Sequence, residues 1–115
     1  YSTTDTRIHK VLKYIHQNIA ADITVSDIVK QVPLSRRLLE IRFKQVTQQS
    51  IHKYIFNLRM ERFAQLLLAS DAPIADVADQ VGINNLKNLS RQFKALKKVS
   101  PNEYRKEYQT KSYQR

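Results

Sequence analysis

The sequence holds 115 residues with 42% apolar content, one glycine, three prolines, no cysteine and a formal net charge of +10. That length allows one small domain or two very small lobes and leaves no room for a large enzyme core, while the apolar share suffices for a packed interior. Without cysteine there is no disulfide framework, thiolate zinc site or cysteine nucleophile, which fits a reducing compartment, and a single glycine rules out a Gly-rich phosphate loop.

In chain order the sequence reads as seven helices and no strand, an all-α fold. Ile8, Val11, Leu12, Ile15 and Ile19 recur at helical spacing and predict a first helix over about residues 4–18. Thr24 and Asp27 form a capping-box pattern for a second helix, flanked by the staple pair Ile23 and Ile28; Pro33 ends that helix near Gln31. Ser35 caps a third helix, with Leu34 and Leu39 as its staple, reaching about Val46. A longer fourth helix runs from Ser50 to about Ala69, with Ile51, Tyr54, Ile55, Leu58, Leu66 and Leu67 on its apolar side. At ~1.5 Å per residue it spans about 30 Å, near the ~34 Å between adjacent major-groove half-sites. Pro73 is expected at the first position of a fifth helix whose inward face is Ile74, Val77, Ala78 and Val81, and Gly82 follows where left-handed backbone is needed. Asn84 or Asn85 caps a sixth helix reaching about Lys98, with Leu89, Phe93 and Leu96 expected to be buried, and Ser100-Pro101 starts the last.

A repeat organises these elements. Phe43-Lys44, Ser50 and Tyr54 recur fifty residues later as Phe93-Lys94, Ser100 and Tyr104. Ile28-Val29 precedes the first copy and Val77-Ala78 the second, so one helix-turn-helix unit is used twice. The copies differ in length: Val29 to Phe43 is 14 residues and Ala78 to Phe93 is 15, placing one extra residue between the second turn and its helix.

Positive charge follows the repeat. Residues 1–34 carry a net +1, 35–62 carry +5, 63–85 carry −3 and 86–115 carry +7. Base therefore gathers in the second helix of each unit and beyond it. A merely solvated surface is one reading; the alignment of two basic blocks with a structural repeat favours a footprint for nucleic acid. His9, His16 and His52 have no neighbouring acid at metal-ligand spacing and read as solvated or packing residues, so no metal, cofactor or enzymatic activity is expected. No apolar run approaches the ~18 residues of a membrane span, and Tyr1-Ser2-Thr3-Thr4 has no signal-peptide pattern. The chain does not begin with Met and is expected to be a piece of a longer protein.

The pattern Ile74, Val77-Ala78, Gly82-Ile83, Ser90-Arg91, Phe93-Lys94, Ser100-Pro101 and Tyr104-Arg105 resembles the DNA-binding domain of AraC/XylS-family bacterial transcription regulators, over about residues 8–108. The first unit matches through Ser35, Leu39, Phe43-Lys44, Tyr54, Arg59 and Leu66-Leu67. Ser35-Arg36-Arg37, Leu39-Glu40 and Arg42-Phe43 look most like the xylose-operon-activator branch, in which the domain follows a sugar-sensing one. Departures fall at turns and core: Pro33, Gln48 and Lys98 stand where the family has glycine, Leu89 and Ile83 where other residues are usual, and Phe63 where an alanine is.

The resemblance implies two homeodomain-like helix-turn-helix subdomains, 4–49 and 71–109, joined by a linker helix over 50–70 and followed by a polar tail at 110–115. It also implies sequence-specific binding of double-stranded DNA, RNA polymerase as a partner, and an N-terminal sensor and dimerisation domain outside this chain; the repeat implies a two-half-site operator, and its imperfections an asymmetric one. The setting would be the bacterial cytoplasm, at the nucleoid. Base readers carried over by position are Arg37, Glu40 and Ile41 in the third helix, and Leu86, Lys87, Asn88 and Arg91 in the sixth. Arg can pair with guanine, Asn with adenine, Glu with cytosine, and an apolar residue with a thymine methyl. Glu40 has a second reading, an intrahelical pair with Arg36 or Lys44. Arg36, Lys44, Ser50, Lys53, Asn85, Lys97, Lys98 and Ser100 are expected at phosphates. A sequence-independent architectural or RNA-binding protein, or a helical module facing an acidic protein, remain alternatives to the specific reader.

Overall fold

The computed structural model describes residues 4–113, with side chains through Gln109, and contains seven helices and no strand among them. The helices are α1 (Thr6–Gln17), α2 (Val25–Val29), α3 (Arg36–Thr47), α4 (Ile51–Ala69), α5 (Ile74–Gln80), α6 (Leu86–Lys97) and α7 (Pro101–Tyr113). They form two compact units, divided within α4 between Leu58 and Arg59. Of the polar tail expected at 110–115, residues 110–113 continue α7 and 114–115 lie outside the described residues.

Local chemistry explains the helix starts. Asp5 caps α1, two residues inside the expected start at Thr4, by accepting from the amides of Arg7 (3.1 Å) and Ile8 (3.4 Å). Thr24 and Asp27 close the capping box of α2: the Thr24 amide donates to Asp27 Oδ2 at 2.9 Å and the Asp27 amide to Thr24 Oγ1 at 3.1 Å. Ser100 and Glu103 do the same for α7 at 2.9 and 3.2 Å. Ser35 and Asn85 cap α3 and α6 through the amides of Leu38 and Asn88. Pro73 is not the first helical residue but the N-cap of α5; its ψ of 148° is extended, and the helix starts at Ile74.

Three of these caps are carboxylates with lowered pKa. Burial works to raise the Asp5 carboxyl, but the Ile8 and Arg7 amides and the charges of Arg7 and Arg42 outweigh it. The amide and then the hydroxyl of Thr24 hold Asp27 down, and the amide and hydroxyl of Ser100 hold Glu103 down. Because the folded pKa lies below the unfolded one, this stabilisation is full above the unfolded value and is lost as pH falls through the folded value. The melting temperature is therefore expected to be flat above about pH 5 and to drop below about pH 4. Asp27→Asn should flatten part of that drop; an identical acid limb in the variant would contradict the assignment.

In the first unit α1 packs on α2 and α3, and α2 on α3. Its core joins Ile8, Val11, Leu12, Ile15 and Ile19 to Ile28, Leu39, Phe43, Ile51, Tyr54 and Ile55, with Ile23 and Leu34 packed at the edge as staples. The second unit buries Met60, Phe63, Ala64 and Leu67 of α4 with Val77, Ala78, Val81, Leu89 and Phe93. Ile51, Tyr54, Ile55 and Leu67 of the apolar side of α4 are buried, Leu58 and Leu66 are half-buried, and Met60, Phe63 and Ala64 add to the interior. One expectation fails here. Leu96 is 54% exposed, because Lys94–Lys98 all face solvent and the last turn of α6 runs past the packed interior.

The repeat is structural down to single bonds. Phe43 meets Tyr54 edge-on at 5.3 Å and 86°, and Phe93 meets Tyr104 at 5.3 Å and 82°. Gln48 and Lys98 both end their helices in left-handed backbone, at φ 65° and 71°. Each turns its side chain back to a carbonyl three residues earlier, Gln45 and Ala95 respectively. These are two of the three positions where the resemblance leads one to expect glycine, and the backbone gives the reason, since left-handed geometry is unfavourable with a Cβ. Gln48→Gly and Lys98→Gly are each expected to stabilise by about 0.5–1 kcal/mol, read by denaturant titration. Gly82, at φ 79°, serves the same purpose in the second turn.

Candidate nucleic-acid interface

The outward faces of α3 and α6 follow from what anchors the inward ones. Leu39 and Phe43 are fully buried, which turns Arg36, Arg37, Glu40, Ile41 and Lys44 to solvent. Leu89 and Phe93, at the same repeat positions, expose Leu86, Lys87, Ser90, Arg91 and Lys94, with Asn88 half-buried. Ile41 is 46% exposed and Leu86 40%, so both apolar candidates lie open. Arg37 and Lys87, which also match across the repeat, have no hydrogen-bond or ion-pair partner among the described residues.

Two candidates are tied down locally. Glu40 lies 3.8 Å from the Nε of Arg36, the i,i+4 surface pair foreseen as its second reading and worth only ~0.2–0.5 kcal/mol. Arg91 donates from Nη2 to Asn88 Oδ1 at 2.8 Å, so Asn88 holds the guanidinium.

The residues expected at phosphates separate into two kinds. Ser50 and Ser100 accept from the amides of Lys53 and Glu103 at the starts of α4 and α7, and Asn85 is occupied as the cap of α6. Lys44 and Lys53 are exposed side chains. Lys97 places its ammonium 6.0 Å from the centre of the Tyr104 ring, and Lys98 turns to the Ala95 carbonyl.

Other basic residues support the frame. Arg42 lies 3.6 Å from Asp5, tying α3 to the start of α1, with its Nε buried. Arg105 donates to the Leu67 carbonyl at 3.0 Å, and Gln109 to Leu67 and Ser70, satisfying the open carbonyls at the end of α4. No periodicity signals that clamp; it depends on a tertiary approach of α7 to α4. His16 bonds Tyr54 at 2.7 Å, a packing role. Among the described residues no group of three or more His, Cys, Asp or Glu could hold a metal ion, and no helix is long and apolar enough to cross a membrane.

Two short first helices, two tight turns and two exposed basic second helices on buried Phe anchors define a tandem helix-turn-helix protein. Residues 28–107 match the model of a family described as helix-turn-helix domain. The Msm operon regulatory protein of Streptococcus mutans is 35% identical over 94% of this chain and 39% of its own length. The multiple antibiotic resistance protein MarA of Escherichia coli is 31% identical over 85% of this chain and 77% of its own length. The xylose operon regulatory protein of Escherichia coli is 29% identical over 90% of this chain and 26% of its own length. In structure, the C-terminal domain of AraT, a response regulator from Geobacillus stearothermophilus, superposes with a TM-score of 0.88 at 28% identity, covering 99% of this chain and 95% of that one. The chain belongs to the AraC-type family of helix-turn-helix DNA-binding domains of transcription regulators, which is not a family of enzymes. It spans well under half the length of the Msm and xylose regulators and about three quarters of MarA.

Proposed function

We propose that this chain reads an asymmetric two-half-site operator, with α3 in one major groove and α6 in the next, and that the subdomains at 4–49 and 71–109 act as separate readers joined by the linker at 50–70. Arg37, Glu40 and Ile41 read bases in one half-site, and Leu86, Lys87, Asn88 and Arg91 in the other. Arg36, Lys44, Lys53 and Lys97, with Lys98 and Asn85, face phosphates, as do the helix starts at Ser50 and Ser100. The observation that carries this reading is the fifty-residue repeat, which reproduces the buried frame and varies the exposed face. The chain would serve as the DNA-binding part of a regulator that activates genes of sugar catabolism at the bacterial nucleoid, in contact with RNA polymerase and governed by a sensor domain. The Msm and xylose operon relatives support operon regulation, and the xylose relative supports the link to a sugar.

Selection from randomised duplexes at ~150 mM salt tests the reading. Two enriched half-sites, centred about one duplex turn apart, are expected. Binding that enriches no motif and falls steeply with salt would replace this function with sequence-independent packaging of nucleic acid.

A further inference from the structure

The two recognition helices differ sharply at one pair of stacked positions. In α3 these are Leu38 and Ile41, 38% and 46% exposed. Fifty residues on, in α6, they are Asn88 and Arg91, joined by a 2.8 Å hydrogen bond. Both pairs are spaced i,i+3 and so occupy one stripe of their helix. The buried partners flanking them, Leu39 and Phe43 against Leu89 and Phe93, are the same, so the stripes face outward alike. One stripe is an open apolar step between Arg37 and Lys44; the other is a fixed guanidinium.

From this pairing we infer that the half-sites are read by opposite chemistry: α3 recognises thymine through its 5-methyl group, with Leu38 as a specificity residue beside Ile41, and α6 recognises guanine through Arg91 positioned by Asn88. The inference rests on the two-half-site reading and refines it. In the major groove only thymine presents a methyl group, and guanine alone presents O6 and N7 to a guanidinium fork. Leu38 and Ile41 have no donor or acceptor to offer, so any selectivity they exert comes from burying apolar surface. Arg91, already fixed by Asn88, loses less side-chain freedom on meeting a base than an untethered arginine would. Leu86 lies about 140° around α6 from Arg91, off the stripe, so any methyl it meets belongs to a different base pair and leaves the guanine to Arg91.

The test uses the duplex that the unmodified chain selects. Replacing its thymines one at a time by deoxyuridine removes only the methyl group. Within the half-site of α3, affinity is expected to fall about fourfold per contacted methyl. The Leu38→Ala/Ile41→Ala variant, altered only at exposed positions, should bind thymine and deoxyuridine duplexes equally. In the other half-site, 7-deazaguanine should weaken binding about five- to tenfold, and Arg91→Ala should abolish that sensitivity. A selected motif in which deoxyuridine is silent, acts equally in both half-sites, or still acts on the Leu38→Ala/Ile41→Ala variant overturns this inference and leaves the two-half-site reading standing. Failure to select any motif overturns that reading, and this inference with it.

Discussion

Phe93→Ala is expected to destabilise the second unit by about 3–5 kcal/mol. The ring is 1% exposed and meets Phe63 at 5.6 Å and Tyr104 at 5.3 Å, both edge-on. Removing it empties the centre of a core drawn from α4, α5 and α6 and takes away two aromatic contacts together. A small domain holds about 5–15 kcal/mol in all, so such a loss is a large fraction of it. Denaturant titration should show the midpoint falling, with DNA binding lost in parallel because α6 has lost its anchor. Leu96→Ala, three residues away but exposed, should stay within about 0.5 kcal/mol of the parent. A large cost at Leu96, or a small one at Phe93, would contradict the packing described.

Arg91→Ala is expected to remove about 1–3 kcal/mol of discrimination at one base pair and leave binding to random duplex nearly unchanged. Lys53→Ala should do the reverse, weakening selected and random duplexes by the same factor and reducing the salt slope by about one. The difference follows from position. Arg91 projects from the exposed stripe of α6, whereas Lys53 sits exposed in the first turn of α4, where backbone amides favour an anion. Competition titrations at two salt concentrations separate the two. Equal effects of both substitutions on selected and random DNA would count against these roles.

Most of the frame was legible because local rules governed it. The stripe of α1, the Thr24–Asp27 box, the Ser35 cap, and the turn at Gly82 each depend on residues within one turn of each other. The interior of α4 was less legible. That helix changes its buried side along its length, from Ile51, Tyr54 and Ile55 in the first unit to Met60, Phe63, Ala64 and Leu67 in the second, so a single apolar stripe describes neither. Leu96 failed for a related reason: helical spacing marks a direction, but it does not say how far the packed interior extends along the axis. The outward placement of Arg37, Glu40, Ile41, Leu86, Lys87 and Arg91 was visible in the spacing of the apolar residues that anchor α3 and α6. The pairing of Glu40 with Arg36 was open to i,i+4 reasoning, whereas the coupling of Arg91 to Asn88 needed side-chain geometry. The clamp of Arg105 and Gln109 on the end of α4 joins residues about forty positions apart in sequence and was invisible without the fold.

Paired selections with Arg37→Ala and Arg91→Ala test the central claim, that one chain carries two independent DNA readers. Each variant is expected to lose base preference within a single half-site, with the two losses centred about one duplex turn apart and the untouched half-site retained. Loss of preference at the same base pairs in both variants, or in neither, would contradict the account.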